Sequence, residues 1–173
     1  MSNNHGSGLA AALLAAATLL PLAAHAHPEE DGAAIRRYPL DSPFPIAKAV
    51  EIPAGKTLIF VSGMTPEPAD AKAKEFSAAY WGDTEAQTHS VLKRIEAALQ
   101  GMGLGMGDVV KMQAFVVAPE GKTAMDFEGF MKGYTQFFGP EAQKLLPART
   151  TVQIAGLARP GMLVEIDVIV ARP

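Results

Sequence analysis

Two periodicities in the hydrophobic pattern divide the chain into strands and helices. Apolar residues alternate with polar ones, or cluster with β-branched residues, in six short stretches, and this pattern predicts strands. They are residues 35–40, where Pro39 limits the strand to an edge, 47–52, 57–61, 109–117 and two stretches within 147–173. Apolar residues at three- and four-residue spacing predict two helices, over about 84–100 and 123–138. The order is β-β-α-β-α-β-β with a further short strand in front.

This order predicts an α+β domain with one mixed sheet and both helices packed on one face. Residues 53–56 have the composition of a hairpin turn, so the strands on either side of it are expected to form an antiparallel hairpin. The strands at 57–61 and 109–117 carry apolar residues on both sides, and two helices cannot cover both faces of a sheet. We therefore expect a closed homo-oligomer with pockets in the clefts between subunits.

The C-terminal segment concentrates the polar chemistry. Between Leu163 and Val170 the β-branched residues alternate with Glu165 and Asp167, so both carboxylates share one strand face and need partners. Arg149 is the nearest candidate, in the strand expected to lie beside them. A guanidinium and a carboxylate facing one pocket can bind a small carboxylic acid and direct a water at it. A solvent-facing polar strand face with a surface ion pair explains the same spacing.

The N-terminus has the pattern of a secretory signal. Residues 9–24 form an Ala/Leu-rich apolar run, shorter than the roughly 20 residues of a spanning helix. Ala24-His25-Ala26 follows and suits cleavage after Ala26. No Lys or Arg precedes the run, and an uncleaved anchor or a buried helix is the alternative. We expect a signal peptide at 1–26, a leader at 27–44 and one domain at 45–173, in a periplasmic or secreted protein without a stable membrane span in its mature form.

Composition excludes several other classes of function. The formal net charge is −3 and no Lys/Arg run is present, so a nucleic-acid partner is not expected. Cys is absent, which excludes thiol nucleophiles and disulfides. His25 and His27 are too few for a metal site, and no metal is expected. The aromatic residues Phe76, Tyr80 and Trp81, in a long connection, either line a pocket or pack locally.

An ordered set of short motifs resembles the Rid family, the YjgF-like reactive-intermediate deaminases. The set comprises Val61-Ser62-Gly63, residues 107–111, Phe137-Phe138, residues 147–150 and residues 164–167, and the resemblance covers about residues 45–171. It implies a chorismate-mutase-like fold assembled as a homotrimer with ligand clefts between subunits. It also implies hydrolysis of 2-imino or enamine acids to 2-oxo acids and ammonia, with no metal or organic cofactor.

The resemblance also assigns site residues. It puts Arg149 at the position of the family's carboxylate-binding arginine and Glu165 at that of the acid that positions or polarises the attacking water. Ser62 and Gly63 fall on pocket-wall positions. The chain departs from the family where Ile46 replaces a pocket tyrosine, where Met64 replaces a glutamine, and in a longer insertion around residues 76–81.

Three hypotheses about function follow from these residues. The first is a hydrolase for imino or enamine acids that uses Arg149 and Glu165. The second is an exported, non-catalytic binder of small carboxylates, or a stress-related interaction protein, on the same scaffold; Ile46, which has no hydrogen-bonding group, motivates it. The third is a purely structural role.

Overall fold

The computed structural model describes residues 34–139 and 141–172, in which a six-stranded sheet carries two main helices. The strands are β1 (Arg36–Pro39), β2 (Ala47–Glu51), β3 (Leu58–Met64), β4 (Val109–Val117), β5 (Ala148–Ile154) and β6 (Val164–Ala171). The helices are the short α1 (Ala78–Trp81), α2 (Thr84–Gly101) and α3 (Phe127–Tyr134), and a 3-10 turn spans Met106–Asp108. The predicted order is confirmed, with α1 as an addition. The predicted signal peptide, together with His25 and His27, lies outside the described residues.

Acidic caps set the start of both main helices. Asp83 accepts a hydrogen bond from the Ala86 amide at 2.8 Å, and Asp126 accepts one from the Gly129 amide at 2.9 Å. The cap at Asp126 explains why α3 begins later than the predicted residue 123. The chain leaves the helix after Tyr134, although Phe138 still reaches the core and is fully buried.

The sheet is mixed, with the order β1-β2-β5-β4-β6-β3. β5 runs parallel to β4, and β6 is antiparallel to both β4 and β3. The strand pattern and the helices make this a chorismate-mutase-like α+β fold. β1 belongs to the sheet and precedes the domain boundary predicted at residue 45.

Two predicted pairings are wrong. β2 and β3 form no hairpin, because β2 pairs with β1 and, through Ala47 beside Ala148, with β5, while β3 lies at the far edge beside β6. β5 and β6 are not neighbours, because β4 lies between them. The residues at 53–56 do form a turn, but a turn does not determine which strand the chain then pairs with. The partner of each strand is determined by hydrogen bonds between strands that are far apart in the sequence.

The core lies between the sheet and the helices. Every second residue of β4 and β6 is buried against α2 and α3, as the alternation predicts, and the residues between them are partly exposed on the other side. We call that other side, which carries Phe60, Phe115, Val152, Glu165 and Asp167, the open face. Among the described residues no helix is long and apolar enough to cross a membrane.

Candidate functional site

Arg149 is enclosed by aromatic rings on the helix-covered side of the sheet. It lies in β5 in register with the buried Met112 of β4, so it shares the face that α3 covers. Its guanidinium carbon is 4.1 Å from the ring centroid of Tyr134, 5.0 Å from that of Phe130 and 5.4 Å from that of Phe44. We call Arg149 and these three rings the arginine cage. Ring faces stabilise a cation without neutralising its charge.

The cage leaves hydrogen-bonding capacity unused. Arg149 Nη2 lies 3.2 Å from the thioether sulfur of Met131, a weak acceptor, while Nη1 is buried without an acceptor. The hydroxyl of Thr151, two residues along the same strand face, is also buried without a partner. No ion pair to Arg149 occurs within the described chain. Burial lowers the pKa of Arg149 below its ordinary value. A buried cation with a free donor is suited to binding an anion from outside the chain.

Tyr134 fixes the cage to the loop that precedes β2. Its hydroxyl donates a hydrogen bond of 2.8 Å to the carbonyl oxygen of Pro45. Burial raises the pKa of Tyr134 to about 12, although the nearby Arg149 acts in the opposite direction. The phenol is therefore neutral near pH 7 and supplies no negative charge to Arg149.

Glu165 lies on the open face together with Ser62 and Gly63. It is in register with Phe115 of β4. A Cβ atom added to Gly63 would overlap the Glu165 carboxylate, with its carboxyl carbon 3.1 Å away. The absence of a side chain at Gly63 is thus what allows the carboxylate to lie against β3. Two of the predicted site residues, Glu165 and Gly63, are therefore close together here, and Ser62 precedes Gly63 in β3.

Arg149 and Glu165 do not face one pocket within a subunit, contrary to the interpretation of the sequence. Arg149 is aligned with Met112 and Glu165 with Phe115, and residues three apart on one strand point to opposite sides of the sheet. β4 also separates their strands. The strand alternation within β6 is as predicted; the error lies in the assumed β5–β6 pairing.

Asp167 belongs to a polar group at the middle of the open face. It pairs with Gln113, and Lys111 lies nearby with its ammonium 3.0 Å from the Thr150 hydroxyl. Burial raises the pKa of Asp167, while the charge of Lys111 partly opposes that rise.

The two positions that depart from the family pattern lie in different environments. Ile46 lines a cavity of about 350 Å3 beside the arginine cage. Met64 is in register with Ile166 and packs against the core, so its side chain is on the helix-covered side of the sheet.

The insertion around residues 76–81 packs locally. Trp81 is buried, its indole N–H donates to the Pro160 carbonyl at 2.8 Å, and its ring contacts Phe76 and Tyr80.

Sequence reasoning missed the aromatic part of the cage. The three- and four-residue spacing of apolar residues over 123–138 includes Phe130 and Tyr134 and indicates that they are buried, but it does not reveal a cation beneath them. Phe44 lies between two prolines, where no periodicity identifies it. Within the described residues no group of three His, Asp or Glu side chains could hold a metal ion.

The fold and the described residues define a chorismate-mutase-like domain whose Arg149 is enclosed by aromatic rings and has an unused buried donor, and comparison with known proteins gives its family. The model of the Endoribonuclease L-PSP family matches residues 41–172. The chain therefore belongs to this family, the YjgF/Rid proteins.

Named relatives and solved structures agree with this assignment. A RutC family protein of Pyrococcus horikoshii is 29% identical over 129 residues, covering 75% of this chain and 90% of the relative. A 2-iminobutanoate/2-iminopropanoate deaminase of Salmonella typhimurium is 31% identical over 117 residues, covering 67% and 80%. Escherichia coli TdcF with bound serine superposes with a TM-score of 0.52 at 29% identity, covering 70% of this chain and 85% of that one.

Proposed function

We propose that this protein hydrolyses reactive 2-imino or enamine acids to 2-oxo acids and ammonia, in clefts between subunits. The observation that carries the proposal is the buried guanidinium of Arg149, which has a free Nη1 donor and no carboxylate partner in the described chain. The deaminase named among the relatives supports the same reaction class. The substrate's carboxylate would take the place of the missing acceptor.

Glu165 is proposed as the acid that positions the attacking water. The water oxygen forms a bond to the imine carbon while its proton passes to the carboxylate. The proton is then delivered to the nitrogen, which gives a carbinolamine. The carboxylate next takes the proton of the new hydroxyl group and passes it to the nitrogen; the carbon–oxygen double bond forms as the carbon–nitrogen bond breaks, and ammonia leaves. Because Arg149 and Glu165 lie on opposite sides of one sheet, the two can act on one substrate only if they come from different subunits.

The open face supports the proposal of a homotrimer. Phe60 is 73% exposed there, and Leu58 and Val152 are also large, apolar and exposed. Together these residues form an apolar surface of the kind that marks an interface. A second copy of the chain that covers this face would bring its own residues close to Glu165, which lies on the same face.

The experiment is ammonia release from an imine generated in situ by an amino-acid oxidase. We expect the wild type to accelerate release, and Arg149→Ala and Glu165→Gln to lose the acceleration while remaining folded. If wild type and Arg149→Ala both give the rate of buffer, deamination is excluded.

A non-catalytic binder of small carboxylates is the second candidate. It is favoured by Ile46, which offers no hydrogen bond where the family has a tyrosine, and by the separation of Arg149 from Glu165 within a subunit. It predicts that 2-oxo acids raise the melting temperature through Arg149 without any turnover.

With a formal net charge of −3 and no basic run, we expect no binding of RNA in either case.

Export and cleavage after Ala26 are part of the proposal. The apolar run at 9–24 and the small residues at Ala24 and Ala26 support it. Expression of the full chain in a Gram-negative host, followed by N-terminal sequencing of the protein in the periplasmic fraction, tests it. A mature protein that begins at His27 is expected, and retention of Met1 would exclude cleavage.

A further inference from the structure

A cavity lies beside the arginine cage, next to the loop that carries Phe44, and it has no part in the reaction proposed above. The cavity has a volume of about 350 Å3, and its apolar lining includes Tyr38, Leu40, Pro43, Phe44, Ile46 and Leu146. This volume lies within the usual range for small-molecule sites. The described lining contains no Asp or Glu and includes two cationic residues, Arg37 and Lys144. Such a surface favours the apolar side group of an anionic ligand, such as a carboxylic acid, over the apolar side group of a cationic amine.

Phe44 belongs to both environments. Its ring centroid is 5.4 Å from the guanidinium carbon of Arg149, and the residue also lines the cavity. Phe44 is 37% exposed and stacks on Phe127, which is exposed to the same extent, so it belongs to the surface and not to the core. The cage and the cavity therefore share one residue.

From these contacts we infer that the cavity is the side-chain pocket of the substrate site and selects acids with a bulky apolar substituent. This inference rests on the proposed function, because it assigns the carboxylate of the same substrate to Arg149. A carboxylate that accepts from Arg149 Nη1 would direct its substituent past Phe44 into the cavity. A methyl or ethyl group would leave most of this space unfilled. A phenyl or branched alkyl group would bury its surface against Leu40, Ile46 and Leu146, and that burial favours binding.

Ile46 would be part of the lining of this side-chain pocket. Its side chain is partly buried and packs against the core at the floor of the cavity, and its amide donates to the Phe44 carbonyl at 2.8 Å. A polar group at this position would have to be solvated or paired inside an apolar pocket. Isoleucine therefore fits a site for an apolar substituent.

The test is calorimetric titration of the purified oligomer with two acids that differ in the substituent, 2-oxopropanoate and 3-phenyl-2-oxopropanoate. We expect the phenyl acid to bind at least about tenfold more tightly. Ser42→Phe should fill the cavity and remove the preference for the phenyl acid. The affinity for 2-oxopropanoate should not fall, because Ser42 is an exposed residue of the lining. Ser42→Ala, which removes the same hydroxyl without filling space, should keep the preference. If thermal unfolding shows that Ser42→Phe is destabilised, Leu40→Trp provides a second filling variant.

The outcomes separate this inference from the proposed reaction. Equal affinity for the two acids, or a preference that survives in a folded filling variant, would overturn the side-chain pocket. Ammonia release that depends on Arg149 but proceeds equally with the imines of alanine and phenylalanine would overturn the pocket and leave deamination standing. Selective binding of the phenyl acid without ammonia release would support the pocket and exclude deamination.

Discussion

The central carbon of the Arg149 guanidinium lies over the Tyr134 ring, 4.1 Å from its centroid, and no described carboxylate neutralises the charge. The phenol cannot do so either, since the pKa of Tyr134 is raised to about 12. A side chain kept only for stability would be expected to satisfy its donors, because a buried charge without acceptors is costly. The unused donor therefore fits the proposal that Arg149 binds an anionic ligand.

Arg149→Met should separate binding from stability. Methionine retains the length of the aliphatic part of the side chain and an apolar contact with the rings, although it ends short of the guanidinium carbon, and it removes a buried donor that has no acceptor. Loss of the cation–π contacts, about 0.5–2 kcal/mol, is offset by removal of the buried charge, so we expect unfolding free energies within about 1 kcal/mol of the wild type. Imine hydrolysis should fall by about a hundredfold or more, since the substrate is no longer oriented. Urea unfolding and the ammonia assay measure the two effects.

Arg37→Met is the matched control for this change. The Arg37 guanidinium donates to the carbonyl oxygens of Gly107, Val109 and Leu146 at 2.7–3.0 Å, so its donors are used inside the fold. Its replacement should cost about 2–4 kcal/mol of stability. If Arg149→Met destabilises as strongly as Arg37→Met, the anion-binding role of Arg149 is contradicted.

Mixed oligomers should reveal whether the two proposed catalytic residues come from different subunits. Arg149→Ala and Glu165→Ala oligomers are each expected to be inactive. If the variants are unfolded together and refolded as random trimers, about one quarter of the clefts will combine an intact arginine with an intact glutamate from a neighbour. We expect ammonia release to recover to about that fraction of the wild-type rate. No recovery beyond the separate variants would place the pair within one subunit, contrary to the sheet geometry.

Gly63→Ala should act through the Glu165 carboxylate. The added Cβ would overlap that carboxylate, so we expect a loss of about 1–3 kcal/mol in stability and a fall in turnover as Glu165 is displaced. In the double variant Gly63→Ala, Glu165→Ala the overlap disappears, and most of the lost stability should return. A double-mutant cycle by urea unfolding measures this coupling, and additive losses would contradict the contact.

The pattern of burial along each strand could be predicted from the sequence, but the neighbours of each strand could not. The alternation around Glu165 and Asp167 was sufficient to assign their side of the sheet, because the side-chain period of a strand is two. The position of Arg149 relative to Glu165 depends on β4 lying between β5 and β6, and no local signal encodes that. The arginine cage was missed for a similar reason, since Phe44 and Tyr134 meet Arg149 only through contacts between distant parts of the chain.

Asp167→Asn should change stability in a pH-dependent way. Burial raises the pKa of Asp167 in the folded state, so the folded protein binds the proton more tightly than the unfolded chain and loses stability as the pH rises through that pKa. The amide removes this cost. We expect a small gain in melting temperature near pH 7, limited by the partial exposure of the side chain and by the lost attraction to Lys111, and no gain below the ordinary pKa of aspartate. A gain that is constant from pH 3 to about pH 8 would contradict the assignment to titration.

Phe60→Asp should dissociate the oligomer if the open face is the subunit interface. Phe60 is the most exposed of the large apolar residues that the structure describes, at 73%, and it lies on β3 in register with Ile169. A carboxylate there would have to be buried without a partner when the faces associate, which costs several kcal/mol. Light scattering after size exclusion should show a shift from trimer to monomer together with loss of ammonia release.

Leu145→Asp is the matched control. Leu145 is 52% exposed but lies in the connection between α3 and β5, outside the open face, so its replacement should leave the trimer intact. A Phe60→Asp protein that stays trimeric and active would exclude the open face as the interface.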